Sequence, residues 1–310
     1  MAQSSSIRWA AIAGTGVALF AASLGPLIRA MHWHQTATLD EIVGAVPFLT
    51  EDQLAVQVKG KRSLLIGGTR GVGYGTALAL AKAGSHVTLV GRSEESGMKA
   101  VKRIQSELST SKHADGVSVE YIQGDLGTVC DTLKLVSNLE GRVNDQRSRY
   151  DFLIVSAATF PDWSQPLQND DGIDKCFAIA VLGRFLIYRH MHRFMDGKAR
   201  VLNVMASGQK FPVSIPLDRD IVLGNRNVKN LFEGVLTFGL GNEIMLEALY
   251  KHDPYIANKV TMVSTNPGWL KTGKYRDKCW CHQLLLVNSC SCFAVFSLRG
   301  RLAPRTRSAF

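Results

Sequence analysis

Cysteine is sparse in this 310-residue chain, with six in all, and that scarcity excludes a disulfide-stapled fold. Cys130 and Cys176 stand in helical, partly apolar surroundings, where a thiol behaves as a small hydrophobe. Cys279, Cys281, Cys290 and Cys292 form two C-x-C pairs that nominally offer four thiolates. The pairs are spaced more tightly than a structural zinc knuckle prefers and enclose an apolar run, so no metal is expected. Acidic residues are absent before Asp40, and internal repeats and low-complexity blocks are lacking throughout.

The formal charge of +10 invites a nucleic-acid reading, but its distribution argues against one. Gly273 to Phe310 holds seven Lys/Arg against Asp277 alone, and Arg8 and Arg29 lie in an acid-free segment. The remainder is only about +2, too balanced for a dedicated nucleic-acid surface.

Only one long apolar run occurs. Trp9 to Ile28 has no charge and is bracketed by Arg8 and Arg29, a length that just spans a hydrocarbon core. A single-pass membrane anchor over residues 1–34 is the leading expectation. A secretory signal with small residues at Ala21-Ala22-Ser23, and an acid-free mitochondrial presequence, are the alternatives. Residues 35–60 read as a linker, 61–272 as one domain, and 273–310 as a basic, Cys-rich tail in which strand and helix periods are weak. That shift of composition also fits an altered or truncated C-terminus.

Across the body, apolar strand-like runs alternate with segments long enough for crossover helices. The runs are 63–66, 86–90, 117–123, 152–156, 201–204 and 260–263. The pattern predicts a three-layer α/β fold with a doubly wound parallel sheet of the Rossmann kind. Between the first strand and the first helix lies Gly67-Gly68-Thr69-Arg70-Gly71-Val72-Gly73, the context in which a glycine fingerprint signals a dinucleotide. Gly67 would permit the tight turn, Gly71 a close approach of backbone to pyrophosphate, and Gly73 close packing of helix on sheet. The second strand ends in Gly91-Arg92-Ser93 rather than in an acid. Arg92, with Arg70 inside the turn, suits a 2′-phosphate, so NADP is expected over NAD.

These residues resemble the short-chain dehydrogenase/reductase family over about residues 61–272. The turn from Gly67 on matches T-G-x-x-x-G-x-G, with Ile66 at the threonine. Gly124-Asp125-Leu126 is similar to the post-strand motif that contacts adenine, and Ser156-Ala157-Ala158 stands in place of N-A-G. Asp171 to Phe177 and Leu182-Gly183-Arg184-Phe185 are similar to the family's central helix. Asn266-Pro267-Gly268-Trp269-Leu270-Lys271-Thr272 is similar to the segment that cradles nicotinamide. The resemblance implies cofactor contacts at Gly67, Thr69, Arg70, Gly71, Gly73, Arg92, Ser93, Asp125, Leu126, Ser156, Ala157, Pro267, Gly268 and Thr272. It also implies hydride exchange at a carbonyl or alcohol, with Tyr, Lys, Ser and Asn doing the chemistry, and pairing into a homodimer.

Those four chemical groups are missing from their expected places. Ala180 aligns with the Asn and Met205-Ala206 with the Ser pair, while Val235 and Gly239 occupy the Tyr and Lys positions. Tyrosine is absent between Tyr188 and Tyr250, so shifting the register restores nothing. Ser207 is the substitute donor of choice. The expected activity is an atypical NADP-dependent oxidoreductase on a lipophilic small molecule. A non-catalytic NADP-binding regulator and a truncated isoform are the alternatives.

Overall fold

The computed structural model describes residues 49–144, 148–159, 166–205, 231–266 and 294–297, with only the backbone described at 231–237, 266 and 294–297. The apolar run Trp9–Ile28 lies outside them. Among the described residues no helix is long and apolar enough to cross a membrane.

Chain order is α1 (Glu51–Val58), β1 (Arg62–Ile66), α2 (Gly71–Lys82), β2 (His86–Gly91), α3 (Glu94–Leu108), β3 (Val119–Gln123), α4 (Val129–Gly141) and β4 (Tyr150–Val155). A helical run follows: α5 (Lys175–Phe177) continues through a π-turn (Ala178–Leu182) into α6 (Gly183–His190). Then come β5 (Met195–Val204), α7 (Leu231–His252), α8 (Pro254–Lys259), β6 (Thr261–Asn266) and β7 (Ala294–Ser297). The sheet runs β3-β2-β1-β4-β5-β6-β7. The first six strands are parallel, as the sequence pattern predicts, and β7 adds antiparallel to the β6 edge.

Alternation along each strand divides the side chains between two cores. Leu64, Ile66, Val90, Ile122, Leu153, Val155 and Val201 face the layer holding α4, α6, α7 and α8. Leu65, Val87, Leu89, Val119, Ile154 and Val204 face the layer of α1, α2 and α3. This two-sided burial is why the strands read as continuous apolar runs.

Residues 51–58 fall within the segment expected to be a linker, and they form a helix. Thr50 and Gln53 make a reciprocal capping box, and Ala55 and Val58 are buried in the second core. Asp52 bonds to Lys112 and His113, and Ser111 donates to Glu51, tying α1 to the loop before β3.

Candidate nucleotide site at the strand ends

Where strand order reverses, between β1 and β4, an open α/β sheet leaves a crevice at its carboxyl edge. Here the crevice is lined by the glycine turn. Gly67 has φ +88°, and a Cβ there would lie 2.5 Å from the Ala157 nitrogen, so only glycine fits. The Ile66 carbonyl accepts from the nitrogens of both Ser156 and Ala157, and the Ser156 hydroxyl donates to the Gly67 carbonyl at 3.1 Å. A Cβ on Gly73 would collide with the Gly67 carbonyl and with Ser156 Oγ. Turn, helix and β4 end are thus fitted together with no space for another side-chain carbon.

Helix α2 begins directly at this turn. Its N-cap, Arg70, makes no side-chain capping bond, and its first turn carries no acid. The amides of Gly71, Val72 and Gly73 have no acceptor among the described residues. Open amides at the positive end of a helix dipole form an anion site. The geometry of the cradle therefore fits a pyrophosphate.

Thr69 rests on Gly91, where a Cβ would lie 2.9 Å from Thr69 Cγ2, so the turn and the β2 end share one rim. Arg70 and Arg92, the next residues along each segment, are both exposed there. Ser93 serves its own helix, accepting from the Ser96 nitrogen as the α3 cap. Gln123 donates to the Arg92 carbonyl. Asp125 closes its own turn by accepting from the Gly127 nitrogen at 3.0 Å, while Leu126 is buried. A Cβ on Gly183 would lie 2.8 Å from Leu126 Cβ, so the Leu182-Gly183 step lets α6 press against the β3 exit.

At the ends of β4 and β5 lies a polar cluster that the sequence reading did not single out. Arg184 is fully buried and donates to Asn203 Oδ1 and to the carbonyls of Ala157 and Val204, both at 2.9 Å. Tyr188, also fully buried, donates to the same Asn203 oxygen at 2.8 Å. The Asn203 amide donates to Asn242 Oδ1 and to Ser264 Oγ, and Asn242 donates to the Ala180 carbonyl at 2.8 Å. One signal was legible: Cys176, Ala180, Arg184, Ile187 and Met191 recur at helical spacing, so Arg184 lies on the buried stripe. Asn203 and Asn242 are far apart in sequence and carry no such local signature.

Neither titratable group of the cluster is poised to exchange a proton near neutral pH. Burial pushes the Tyr188 phenol up to about 12, with the nearby Arg184 guanidinium acting the other way. Burial likewise pushes Arg184 down, yet guanidinium starts high enough to keep its charge. Ala180 occupies the π-turn, and Gly239 is a buried position of α7. Val235 belongs to α7 with its backbone alone described, while Ser207, Pro267, Gly268 and Thr272 lie outside the described residues. No cluster of metal-ligating side chains occurs among the described residues, and the tail cysteines are not among them.

A model of the short chain dehydrogenase family matches residues 61–214. The chain belongs to that family. Among the chain's relatives, a polyprenol dehydrogenase of Danio rerio is 25% identical over 71% of this chain and 65% of its own length. Human retinol dehydrogenase 13 is 30% identical over 42% of this chain and 36% of its own. The chain thus spans less than two thirds of each of these relatives. A metagenomic short-chain oxidoreductase solved with NADP superposes with a TM-score of 0.50 at 16% identity, covering 69% of this chain and 84% of that one, a likeness of fold.

Proposed function

We propose that this short-chain dehydrogenase binds NADP at the β1–α2 turn and reduces an apolar carbonyl, or oxidises the corresponding alcohol. The carrying observation is the cradle: a left-handed Gly67, a Gly73 with no space for a side chain, and three open amides at the start of α2. Arg70 and Arg92 on one exposed rim, with no acid ending β2, support a 2′-phosphate and hence NADP over NAD. Asp125, Leu126, Ser156 and Ala157 would shape the adenosine and pyrophosphate walls through backbone, because their side chains serve the fold. Pro267, Gly268 and Thr272 are assigned to the nicotinamide side by family resemblance alone.

When bound, the reduced cofactor supplies a hydride to the carbonyl carbon while a proton goes to the oxygen. This chain's residues orient the two partners and exclude water from between them. Ser207, just beyond β5, is the donor proposed to polarise that oxygen. A positioned general acid is worth about 10² to 10⁴ in rate, so a chain with Val235 and Gly239 at the usual Tyr and Lys positions should turn over slowly. The relatives' names, polyprenol and retinol dehydrogenase, favour long apolar alcohols and aldehydes as substrates. A tether through Trp9–Ile28 would hold the site beside such compounds in a membrane.

A second reading, an NADP-binding protein without turnover, is favoured by one specific fact: no tyrosine lies between Tyr188 and Tyr250. Mass spectrometry of prenyl and retinoid aldehydes incubated with 4-deuterated NADPH separates the two. Deuterium in the product alcohol, reduced by Ser207→Ala, supports the enzyme. Bound NADPH with no deuterium transferred supports the binding protein.

A further inference from the structure

The strand end that carries Arg92 is held by side chains of the neighbouring strand. β2 and β3 pair in parallel, with Leu89 opposite Tyr121 and Gly91 opposite Gln123. The Tyr121 hydroxyl donates to the Gly91 carbonyl at 2.7 Å, and the Gln123 amide donates to the Arg92 carbonyl at 3.0 Å. The Gly91 carbonyl also accepts from the Gly124 nitrogen at 2.9 Å, so the phenol adds a second bond to an oxygen that the backbone already satisfies. One residue earlier, the Val90 carbonyl accepts from the Gly67 nitrogen. Three successive carbonyls, those of Val90, Gly91 and Arg92, are thereby tied down at the exit of β2.

The Tyr121 ring is itself locked in place. A Cβ on Gly97 would lie 2.2 Å from Tyr121 Cε2, so α3 passes the ring only because a poor helix former stands there. On the β2 side, a Cβ on Gly91 would lie 2.9 Å from Thr69 Cγ2 and 3.7 Å from the same Tyr121 carbon. Burial raises the Tyr121 phenol above its ordinary value, so it stays a donor at neutral pH. Just after Arg92, Ser93 caps α3 by accepting from the Ser96 nitrogen. The backbone is therefore fixed before and after Arg92, whose side chain is exposed. A long side chain that meets a ligand binds it best when its base is fixed beforehand, because less is left to order on binding.

We infer that Tyr121 and Gln123 are positioning residues for cofactor choice: by holding the Gly91 and Arg92 carbonyls they fix the point from which Arg92 reaches a ribose 2′-phosphate. Their effect passes through Arg92 and needs no contact with the cofactor. A 2′-hydroxyl makes no such demand on Arg92, so binding of NADH is indifferent to both side chains. This inference rests on the NADP reading proposed above.

The test is fluorescence titration of the full chain with NADPH and with NADH, comparing the native protein with Tyr121→Phe and Gln123→Met. Each variant should weaken NADPH binding by about threefold to tenfold, the equivalent of one hydrogen bond, and NADH binding by less than about twofold. In an Arg92→Ala background the same substitutions should leave NADPH affinity unchanged, since the group that they position is gone. A pair that only supports the fold would weaken both cofactors together and would act in both backgrounds. Equal losses for NADPH and NADH overturn the inference, as does a loss that persists undiminished in Arg92→Ala. Gln123 is exposed, so Gln123→Met decides the matter even if Tyr121→Phe fails to fold. A native preference for NADPH that both folded variants retain overturns the positioning role and leaves the Arg92 rim standing. A native chain that binds NADPH and NADH equally removes the rim and the inference with it.

Discussion

The Cα of Gly73 faces the hydroxyl of Ser156 so closely that an added side-chain carbon would overlap both Ser156 Oγ and the Gly67 carbonyl. One helix turn, one strand end and one glycine turn are thereby locked at a single point. Gly73→Ala should cost about 1–3 kcal/mol as the contact is forced apart, and should abolish NADPH binding because the α2 amides move with it. Gly75, on the same helix, has nothing within 4 Å of a built Cβ. Gly75→Ala should instead stabilise by up to about 1 kcal/mol through helix propensity and leave binding intact. Thermal melts with and without NADPH read both effects.

Asp174 caps α5, accepting from the nitrogens of Cys176 and Phe177, and burial raises its pKa above the ordinary carboxylate value. A raised folded value means that the folded chain holds the proton more tightly than the unfolded one. This contribution to stability is greatest below the ordinary carboxylate value and falls as pH rises through the raised folded value. Asp174→Asn keeps a good cap without the charge, so it should be more stable than the native chain at neutral pH, with the difference vanishing in acid. Asp174→Ala loses the cap, at about 0.5–2 kcal/mol. Urea denaturation from acid to neutral pH distinguishes the three chains.

Asn242 joins two elements through its two ends, donating to the Ala180 carbonyl of the π-turn and accepting from Asn203 of β5. Asn242→Leu takes one of two acceptors from the buried Asn203 amide, which keeps Ser264, and the side-chain donor from the Ala180 carbonyl, and should cost about 1–3 kcal/mol. Tyr188→Phe removes a single donor from an Asn203 oxygen that Arg184 still serves, and should cost about 1 kcal/mol. A loss for Tyr188→Phe equal to that for Asn242→Leu would contradict this ranking.

The strands and the glycine turn were legible because their signals are local: apolar runs of strand length, and glycines at fixed spacing between a strand and a helix. Helix α1 was legible too, through the Thr50–Gln53 capping box, but the polar and apolar mixture over 35–60 was read as linker. The polar cluster was less accessible. Arg184 falls on the stripe that buries Cys176, Ala180, Ile187 and Met191, so its burial follows from helical period. Its partners Asn203, Ala157 and Val204 come from separate strands, and only folding brings them together. The motifs at Ser93 and Asp125 were visible, whereas the use of their side chains as a helix cap and a turn closure was not.

The proposed preference for NADP over NAD depends most on Arg92 at the exposed rim. Fluorescence titration of the native chain and of Arg92→Asp with NADPH and NADH tests it most directly. The native chain should bind NADPH and barely bind NADH, and Arg92→Asp should reverse that order, since a carboxylate repels a 2′-phosphate and accepts from a 2′-hydroxyl. Failure of a folded native chain to bind either cofactor, or a preference unchanged by Arg92→Asp, would contradict it.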